Sequence, residues 1–494
     1  MGTSWQAIRA NRLLTSERLA RSQLVESKTR EVQHATQVSA AIDSALAQSE
    51  RLQQQTMWPE AIAAVKRAES LLSGASNSET SQRTIQDRLA DLNMIAELEK
   101  IRLEWHSIVD EGYFDDQKTD RAYQRAFKQY GLNPDSLDPD QAAARIRSRS
   151  VWLQLVTALD HWALVRQTLK DRDGSRSLLA VARRADADEW RNRLRNLSDK
   201  SDRTDADKEL LANLAASAAI DRLAPSALVR LGELIESVGE TDRAIELLRQ
   251  AQQKHPDDFW INMRLAQYLA NWKVKGWDES VRFSTVAVAL RPTNPAAHIQ
   301  LGSAFATPNS SHGRAGEAIP VLREAIRLDP KSAWAYSILG RALLRSEADL
   351  DEAIAAHRKA IRLNPENAWA YKLLSTALLK KGKLDEAVTA SRESVRLAPN
   401  DHQYHTNLGT ALAEKGNFDE AIAAYRKIIE LIPKGWRAYS NLGTALAKKG
   451  KVDQAIAEYR KAIELNPKRW QFHANLGVVL AKKGNVDKAI AAYH

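Results

Sequence analysis

Residues 405–433 read HTNLGTALAEKGNFDEAIAAYRKIIELIP, and residues 439–467 read YSNLGTALAKKGKVDQAIAEYRKAIELNP. The second stretch begins 34 residues after the first and repeats its Leu-Gly pair, its Asp-x-Ala-Ile-Ala segment and its closing Pro. Such a fixed period is the sequence signature of a repeat array. The closing prolines recur at Pro256, Pro292, Pro330, Pro365, Pro399, Pro433 and Pro467.

Each period predicts two antiparallel helices. Small residues such as Gly409 and Ala421 are expected where the two helices cross, because only small side chains permit a close approach, while Leu and Tyr fill the space around them. Gly416 follows the first helix, where a left-handed cap is needed, and Asp419 lies at the start of the second helix. Both helices are thereby bounded.

The spacing of Leu-Gly, Ala, an aromatic residue and a closing Pro resembles the tetratricopeptide family. The resemblance implies an all-α fold in which hairpins stack into an α-α superhelix, a TPR solenoid with a concave groove for other proteins. The Leu, Ala and Tyr residues of the pattern are then packing residues. We expect residues 225–494 to form the array, with about seven full repeats and one truncated repeat, and residues 201–224 to form a linker and a lead-in helix.

The first half of the chain is expected to be helical as well. Residues 1–50 contain few turn residues and predict one long helix, a candidate coiled-coil stalk for self-association whose heptads are too irregular to fix an oligomeric state. Residues 51–200 predict a helical domain with similar hairpins. The helices expected there begin at Trp58, followed by a loop over 73–81, and continue over 84–111, 119–130, 139–169 and 175–197, before a polar linker at 201–207.

The charge and the composition of the chain limit the classes of partner and compartment that we expect. The net charge of +10 would suit acidic partners or nucleic acid, but basic residues alternate with acidic ones along the helices, and only Arg145 to Arg149 forms a short basic run. We therefore expect no nucleic-acid partner. The chain has no cysteine and no apolar run long enough to span a bilayer, which favours a cytoplasmic protein, although a larger parent could be membrane-anchored.

The tetratricopeptide resemblance also indicates where a partner would bind. In that family the second, fifth, sixth, ninth, twelfth and thirteenth positions of the first helix face the groove. Here the sixth position is Asn407, Asn441 and Asn475 in successive repeats. Side-chain amides offer donors and an acceptor, so this series resembles the asparagine ladder that holds a peptide main chain in some family members. The alternative is that Asn is simply common at this position.

Basic and aromatic residues complete the candidate peptide site. Lys372, Arg437, Lys448 and Lys482 resemble in part the family's carboxylate clamp, which grips acidic chain termini. The match is incomplete, because Thr376 stands where the clamp has Asn and Asn441 where it has a cation. Trp334 and Trp369, at the second position of their repeats, either stack on a ligand or pack between helices, and packing is favoured.

A second resemblance concerns residues 50–494 and rests on five stretches, which are Glu111 to Tyr113, Ala122 to Pro134, Ala158 to Trp162, Ala185 to Arg191 and Asp258 to Asn262. They resemble the region that follows the catalytic domain in planctomycete-type bacterial serine/threonine protein kinases, which implies a docking or regulatory role in signalling. The chain has no glycine-rich loop, His-Arg-Asp or Asp-Phe-Gly motif, so kinase activity is not carried over and we expect no enzyme. Both ends look cut, which suggests part of a longer product.

No cofactor or metal is expected. His402 and His405 form a lone His-x-x-His on a helical face without an evident third ligand, and we interpret both as surface histidines. The sequence predicts a scaffold for a protein or peptide partner, with no small-molecule substrate. A docking half of a kinase and a basic nucleic-acid binder are the alternatives.

Overall fold

The computed structural model describes residues 2–54, 57–73, 79–107, 116–200, 204–271, 276–306, 314–346 and 349–493. Within these ranges every regular element is helical, and the superhelix class predicted from the sequence is confirmed. The residues form two compact units, which are residues up to Trp105 with residues 116–200, and residues from 204 onward. The predicted motif Glu111-Gly112-Tyr113 and residues 74–78 of the predicted loop lie outside the described residues.

The first unit begins with a helical hairpin. The predicted long helix corresponds to α1, whose C-terminal half packs on α2 through Ile42 and Val65, which are almost fully buried. Residues 79–81, expected in a loop, already belong to α3. The helices of this unit are α1 (Gly2–Gln54), α2 (Trp58–Ser73), α3 (Glu79–Ser107), α4 (Asp116–Gln129), α5 (Pro139–Arg147), α6 (Trp152–Thr168), α7 (Arg172–Ala185) and α8 (Glu189–Ser198).

Two predictions of single helices in this unit were wrong. Residues 139–169 break between α5 and α6, where the N–H of Ser148 bonds the carbonyl of Ala144 and that of Arg149 bonds Ile146 in a tighter last turn. Residues 175–197 break between α7 and α8, where Asp188 caps α8 by accepting a 2.7 Å hydrogen bond from the N–H of Arg191. A backbone turn at the first break and a side-chain cap at the second outweighed the helical periodicity.

Asp186 lies at the second break and organises a buried ionic network. It is 1% exposed and accepts from the guanidinium of Arg191 at 2.6 Å, while Arg195 bridges it to Asp160 at 2.9 and 2.8 Å. Burial acts to raise the pKa of Asp186, but hydrogen bonds from Arg191 and the Asp188 N–H, with the charge of Arg195, lower it overall. Asp186 and Arg191, which lie in one of the stretches behind the second resemblance, therefore have a structural role.

The second unit is a run of helical hairpins after a lead-in helix, α9. Thr204 and Asp207 form a capping box at the start of α9, so the predicted linker over 201–207 is already helical from Asp205. The even-numbered helices from α10 to α24 are the first helices of the hairpins, and the odd-numbered ones from α11 to α25 are the second helices. They are α9 (Asp205–Ala216), α10 (Pro225–Ser237), α11 (Thr241–Lys254), α12 (Phe259–Asn271), α13 (Trp277–Leu290), α14 (Pro295–Phe305), α15 (Ala315–Leu328), α16 (Ala333–Arg345), α17 (Leu350–Leu363), α18 (Ala368–Lys380), α19 (Leu384–Leu397), α20 (His402–Lys415), α21 (Phe418–Leu431), α22 (Trp436–Lys448), α23 (Val452–Leu465), α24 (Trp470–Lys482) and α25 (Val486–Tyr493).

Glycine sets the spacing within a hairpin. A Cβ atom on Gly409 would lie 2.6 Å from the ring of Tyr425, so the glycine makes room for the aromatic side chain of the second helix. Ala421 is fully buried between the two helices, as expected. Gly416 has a φ of +88° after α20, which confirms the predicted left-handed cap.

The turn between hairpins is closed by a side-chain hydrogen bond that the sequence did not predict. The Nε2 of His405 donates to the carbonyl of Pro399 at 2.8 Å, six residues earlier. His405 is 8% exposed, so its interpretation as a surface histidine was wrong, whereas His402 is half-buried. The same bond is made to the closing proline by Asn262, His298, Tyr439 and His473.

Candidate peptide-binding face

The first helices of successive hairpins contact one another more extensively than the second helices do. The array therefore curves toward the first helices, whose facing side chains line its concave side. Cross-hairpin bonds mark this side: Arg264 to Glu233, Arg341 to Ser303, Lys372 to Gln403 and Asn407 to Thr376. We call this set of first-helix residues the inner face. It consists of the bonded residues just named, their neighbours Trp334, Trp369 and Lys380, and the repeat equivalents Arg437, Asn441, Lys448, Asn475 and Lys482.

At its N-terminal end the inner face is electrostatically balanced. Glu233 of α10 lies 3.2 Å from Arg230 on the same helix and 2.7 Å from Arg264 on α12. All three side chains are largely buried, so the two cations hold the carboxylate between them. This part of the face presents little uncompensated charge.

The centre of the inner face contains an unbalanced arginine. Arg341 of α16 is largely buried, and its guanidinium lies 5.4 Å from the ring centre of Trp369 and 3.3 Å from the Oγ of Ser303. Within the described ranges, its Nε has no hydrogen-bond partner and no carboxylate lies within ion-pair distance of it. Trp334 and Trp369 pack on each other with ring centres 4.8 Å apart.

The environment of Arg341 disfavours its charge. Burial, and secondarily the neighbouring positive charge of Arg345, lowers the pKa of Arg341 to about 10. Lys380 of the next first helix donates to the carbonyl of Leu344 at 3.2 Å, which adds another cation to this region. Sequence reasoning named the flanking tryptophans and missed Arg341, although it occupies the groove-facing ninth position of its repeat.

A chain of hydrogen bonds holds Asn407. The hydroxyl of Ser391 donates to Oδ1 of Asn407 at 2.9 Å, and Nδ2 of Asn407 donates to Oγ1 of Thr376 at 3.3 Å. Thr376 in turn donates to the carbonyl of Lys372, whose ammonium donates to Gln403 at 2.8 Å. The structure thus brings Lys372 and Asn407 together, and both are engaged by neighbouring hairpins.

Asn441 and Asn475 differ from Asn407. Both are half-buried on the inner face, yet neither amide makes a hydrogen bond with any described residue. The reason lies in the second helices, because Tyr425 and Tyr459 occupy the position that Ser391 has in an earlier hairpin. The hydroxyl of Tyr459 lies 2.9 Å from Thr444 instead. The amides of Asn441 and Asn475 therefore keep their hydrogen-bonding capacity.

Three predicted cations lie on the same first helices as these amides, Arg437 and Lys448 on α22 and Lys482 on α24. Arg437 is exposed, with its guanidinium 4.5 Å from the ring centre of Trp436. Lys448 and Lys482 are exposed and form no ion pair with the described part of the chain. Each occupies the same repeat position as a residue that bonds a neighbouring hairpin. Arg437 corresponds to Gln403, which accepts from Lys372, and both lysines correspond to Lys380, which donates to the carbonyl of Leu344.

The outer side of the array is charged but balanced. Arg323 pairs with Glu352 at 2.9 Å and Arg392 with Glu420 at 2.6 Å, each joining successive second helices. On the first helices from α12 to α24, by contrast, Glu414 is the single acidic residue. The basic residues of those first helices are Arg264, Arg341, Arg345, Lys372, Lys380, Lys415, Arg437, Lys448 and Lys482.

The basic run, metal ligation and membrane spanning were the remaining questions raised by the sequence. The basic run in the first unit makes internal contacts: Arg145 with the Gly131 carbonyl, Arg147 with the Arg184 carbonyl, and Arg149 with Asp87 and the ring of Tyr130. Among the described residues, no group of three His, Asp or Glu side chains is placed to hold a metal ion. No described helix combines the length and apolar character needed to cross a bilayer.

Four segments of the chain match family models. Residues 225–268, 310–368 and 372–435 match tetratricopeptide-repeat models, and residues 443–484 match a TPR-repeat model. The predicted resemblance is confirmed to this extent, and the chain carries tetratricopeptide repeats. No curated protein sequence matches the chain.

Solved structures similar to this chain include other repeat proteins. YrrB, described as a TPR protein with an unusual peptide-binding site, is 25% identical over 41% of this chain and 97% of its own, with a TM-score of 0.33. The protein MamA (residue 41 to the end) from Desulfovibrio magneticus RS-1 is 22% identical over 33% of this chain and 90% of its own, with a TM-score of 0.31.

Proposed function

We propose that the inner face binds an extended peptide segment of a partner protein and that the array serves as a docking scaffold. The observation that carries this proposal is the contrast between Asn407, whose amide is held by Ser391 and Thr376, and Asn441 and Asn475, whose amides have no partner among the described residues. Half-buried polar groups gain most from a partner that supplies the missing hydrogen bonds.

The spacing of the amides suits a main chain. First helices of neighbouring hairpins pack with axes about 10 Å apart, and an extended peptide advances about 3.3 Å per residue. Asn441 and Asn475 would therefore meet the peptide backbone at about every third residue. Each side-chain amide can donate to a peptide carbonyl and accept from a peptide N–H at once.

The chemistry of the inner face favours binding over catalysis. The polar groups of this face that can form further hydrogen bonds are amides, ammonium groups and a guanidinium, which are groups that bind peptides and anions. Nucleic acid is disfavoured as a partner, because the basic run of the first unit makes internal contacts and cations on the outer side of the array, such as Arg323 and Arg392, are paired with carboxylates.

Selection from a display library of random twelve-residue peptides tests the proposal. Binders should be recovered on the immobilised chain, and replacing both Asn441 and Asn475 with Ala should weaken binding of the selected peptides by about thirty-fold, as expected for two lost hydrogen bonds of about 1 kcal/mol each. An exposed control, Asn485→Ala in the turn after α24, should leave affinity unchanged. Failure to recover binders, or equal affinity for all three proteins, would contradict the proposal.

The kinase-like stretches suggest a wider context for the scaffold. We propose that the array is the docking region of a larger bacterial signalling protein, on the strength of that resemblance alone. Sequencing the gene upstream of the codon for Met1 tests this context. An in-frame glycine-rich loop and catalytic Asp would support it, and an in-frame stop codon there would leave a free-standing adaptor.

A further inference from the structure

We propose that Arg341 is the centre of a subsite for a side-chain carboxylate of an acidic peptide. The inference rests on the proposed function and adds the chemistry of the partner, an extended segment rich in Asp or Glu. Three observations carry it: the missing counter-charge of Arg341 among the described residues, the charge balance of the rest of the array, and the wall formed by Trp334 and Trp369.

The first observation is local. A largely buried guanidinium is normally paired, since removing a charge from water costs free energy that only a counter-ion or several hydrogen bonds return. Arg341 has one weak hydrogen bond, to Ser303 at 3.3 Å, and its Nε is unpartnered within the described part of the chain. The inner-face arginine at the other end, Arg264, also has an Nε without a hydrogen bond to any described residue, but it differs from Arg341 in being paired with a carboxylate, that of Glu233 at 2.7 Å.

The second observation concerns the whole array. Several second helices each have an arginine that is paired with a carboxylate of the next second helix, as Arg323 is with Glu352 and Arg392 with Glu420. The first helices from α12 onward have Glu414 as their one acidic residue. The inner face therefore has a positive potential that no described carboxylate at its centre cancels, and it complements an acidic chain.

The third observation concerns geometry. The indole of Trp369 lies against the guanidinium of Arg341 and packs on Trp334. A ring face fixes the guanidinium plane and shields it from water, so that a carboxylate approaching the free edge meets a preoriented donor fork in a less polar setting. Lys380, tethered at the carbonyl of Leu344, supplies a second cation to the same region.

Fluorescence anisotropy with defined peptides tests the inference. The probes are labelled twelve-residue peptides of alternating Glu and Ala or of alternating Gln and Ala, each acetylated and amidated, and a third Gln-Ala peptide with a free C-terminus. We expect the Glu peptide to bind at least ten-fold more tightly than the capped Gln peptide at low salt, as a desolvated charge-assisted pair would provide. Arg341→Met should abolish this preference, and Arg362→Gln on the exposed side of α17 should preserve it.

The contrary outcomes distinguish failure of the subsite from failure of peptide docking. Equal binding of the capped Glu and Gln peptides would overturn the carboxylate subsite while leaving peptide docking intact, and a preference only for the free C-terminus would assign the anion to a chain end instead. If Arg341→Met and Arg362→Gln lose the preference for the Glu peptide equally, the preference comes from net charge alone, and the assignment to Arg341 is overturned. If neither these probes nor library-selected peptides bind, the proposed function itself fails.

Discussion

The hydroxyl groups of Ser375 and Ser391 lie 2.6 Å apart, fully buried between α18 and α19. In the next two hairpins the same positions hold Gly409 with Tyr425 and Gly443 with Tyr459. In these hairpins serine is thus matched with a second small residue, whereas glycine is matched with a large side chain. The serine pair also connects the hairpin to the next one, because the hydroxyl of Ser391 donates to Asn407 on the inner face.

This relationship predicts strong coupling between the two positions. Ser391→Tyr alone should destabilise the array by about 2 kcal/mol, because a ring opposite a Cβ overpacks the interface. Adding Ser375→Gly should recover at least about 1 kcal/mol of that loss. Urea unfolding of the two single variants and the double variant measures the coupling, and strictly additive changes would show that the positions are independent.

The two kinds of inner-face asparagine predict opposite effects on stability and binding. Asn407→Ala removes two internal hydrogen bonds and should lower the unfolding free energy by about 1–2 kcal/mol. Asn441→Ala should change it by less than about 0.5 kcal/mol but weaken peptide binding by about 1 kcal/mol. Thermal melts and peptide titrations of the matched pair are the measurements, and equal destabilisation by both would contradict the distinction.

His357 predicts an acid-labile centre. The side chain is fully buried beside Gly340, and neither ring nitrogen has a partner among the described residues. Burial, with a smaller effect of the Arg341 charge, lowers the pKa of His357 to about 3. Because the folded state favours the neutral ring, the stability that this residue contributes is full above a pH of about 6.5 and is lost as the pH falls toward 3.

The matching variant is His357→Leu, since Leu322 occupies the equivalent place beside Gly302. Between pH 6.5 and 5.0 the native chain should lose about 2 kcal/mol more than this variant. Urea unfolding at the two pH values measures the difference. Parallel pH dependence of the two proteins would indicate that His357 is hydrated or paired in solution.

Arg341 predicts a conflict between stability and binding. In the absence of peptide, Arg341→Met should raise the unfolding free energy by about 1 kcal/mol, because a largely buried charge without a described counter-ion is replaced by an apolar side chain of similar length. Thermal unfolding at low ionic strength is the measurement. A loss of stability would mean that the contacts with Trp369 and Ser303 already compensate the charge.

The sequence predicted the hairpins well because their pattern is periodic and redundant. The capping glycines and the closing prolines recur in each period, so the end of α20 and the start of α21 were expected close to where the structure has them. The breaks after α5 and α7 were missed, since they depend on single caps such as Asp188 and on the buried network around Asp186.

The candidate site was only partly accessible from the sequence. Position within the repeat placed Asn407, Asn441 and Asn475 in one class, but their difference depends on whether Ser391 or a tyrosine stands on the adjoining second helix. Arg341 could have been found by noting that the first helices contain almost no acidic residues. Its lack of a counter-ion among the described residues depends on how neighbouring hairpins pack, which the sequence of one repeat does not show.

Hydrogen exchange with and without a selected peptide tests the central claim most directly. Peptide binding along the inner face predicts slower exchange in the first helices α16, α18, α20, α22 and α24, with little change in the second helices that pair with them. Protection confined to the second helices or to the first unit would contradict the assignment of the binding surface.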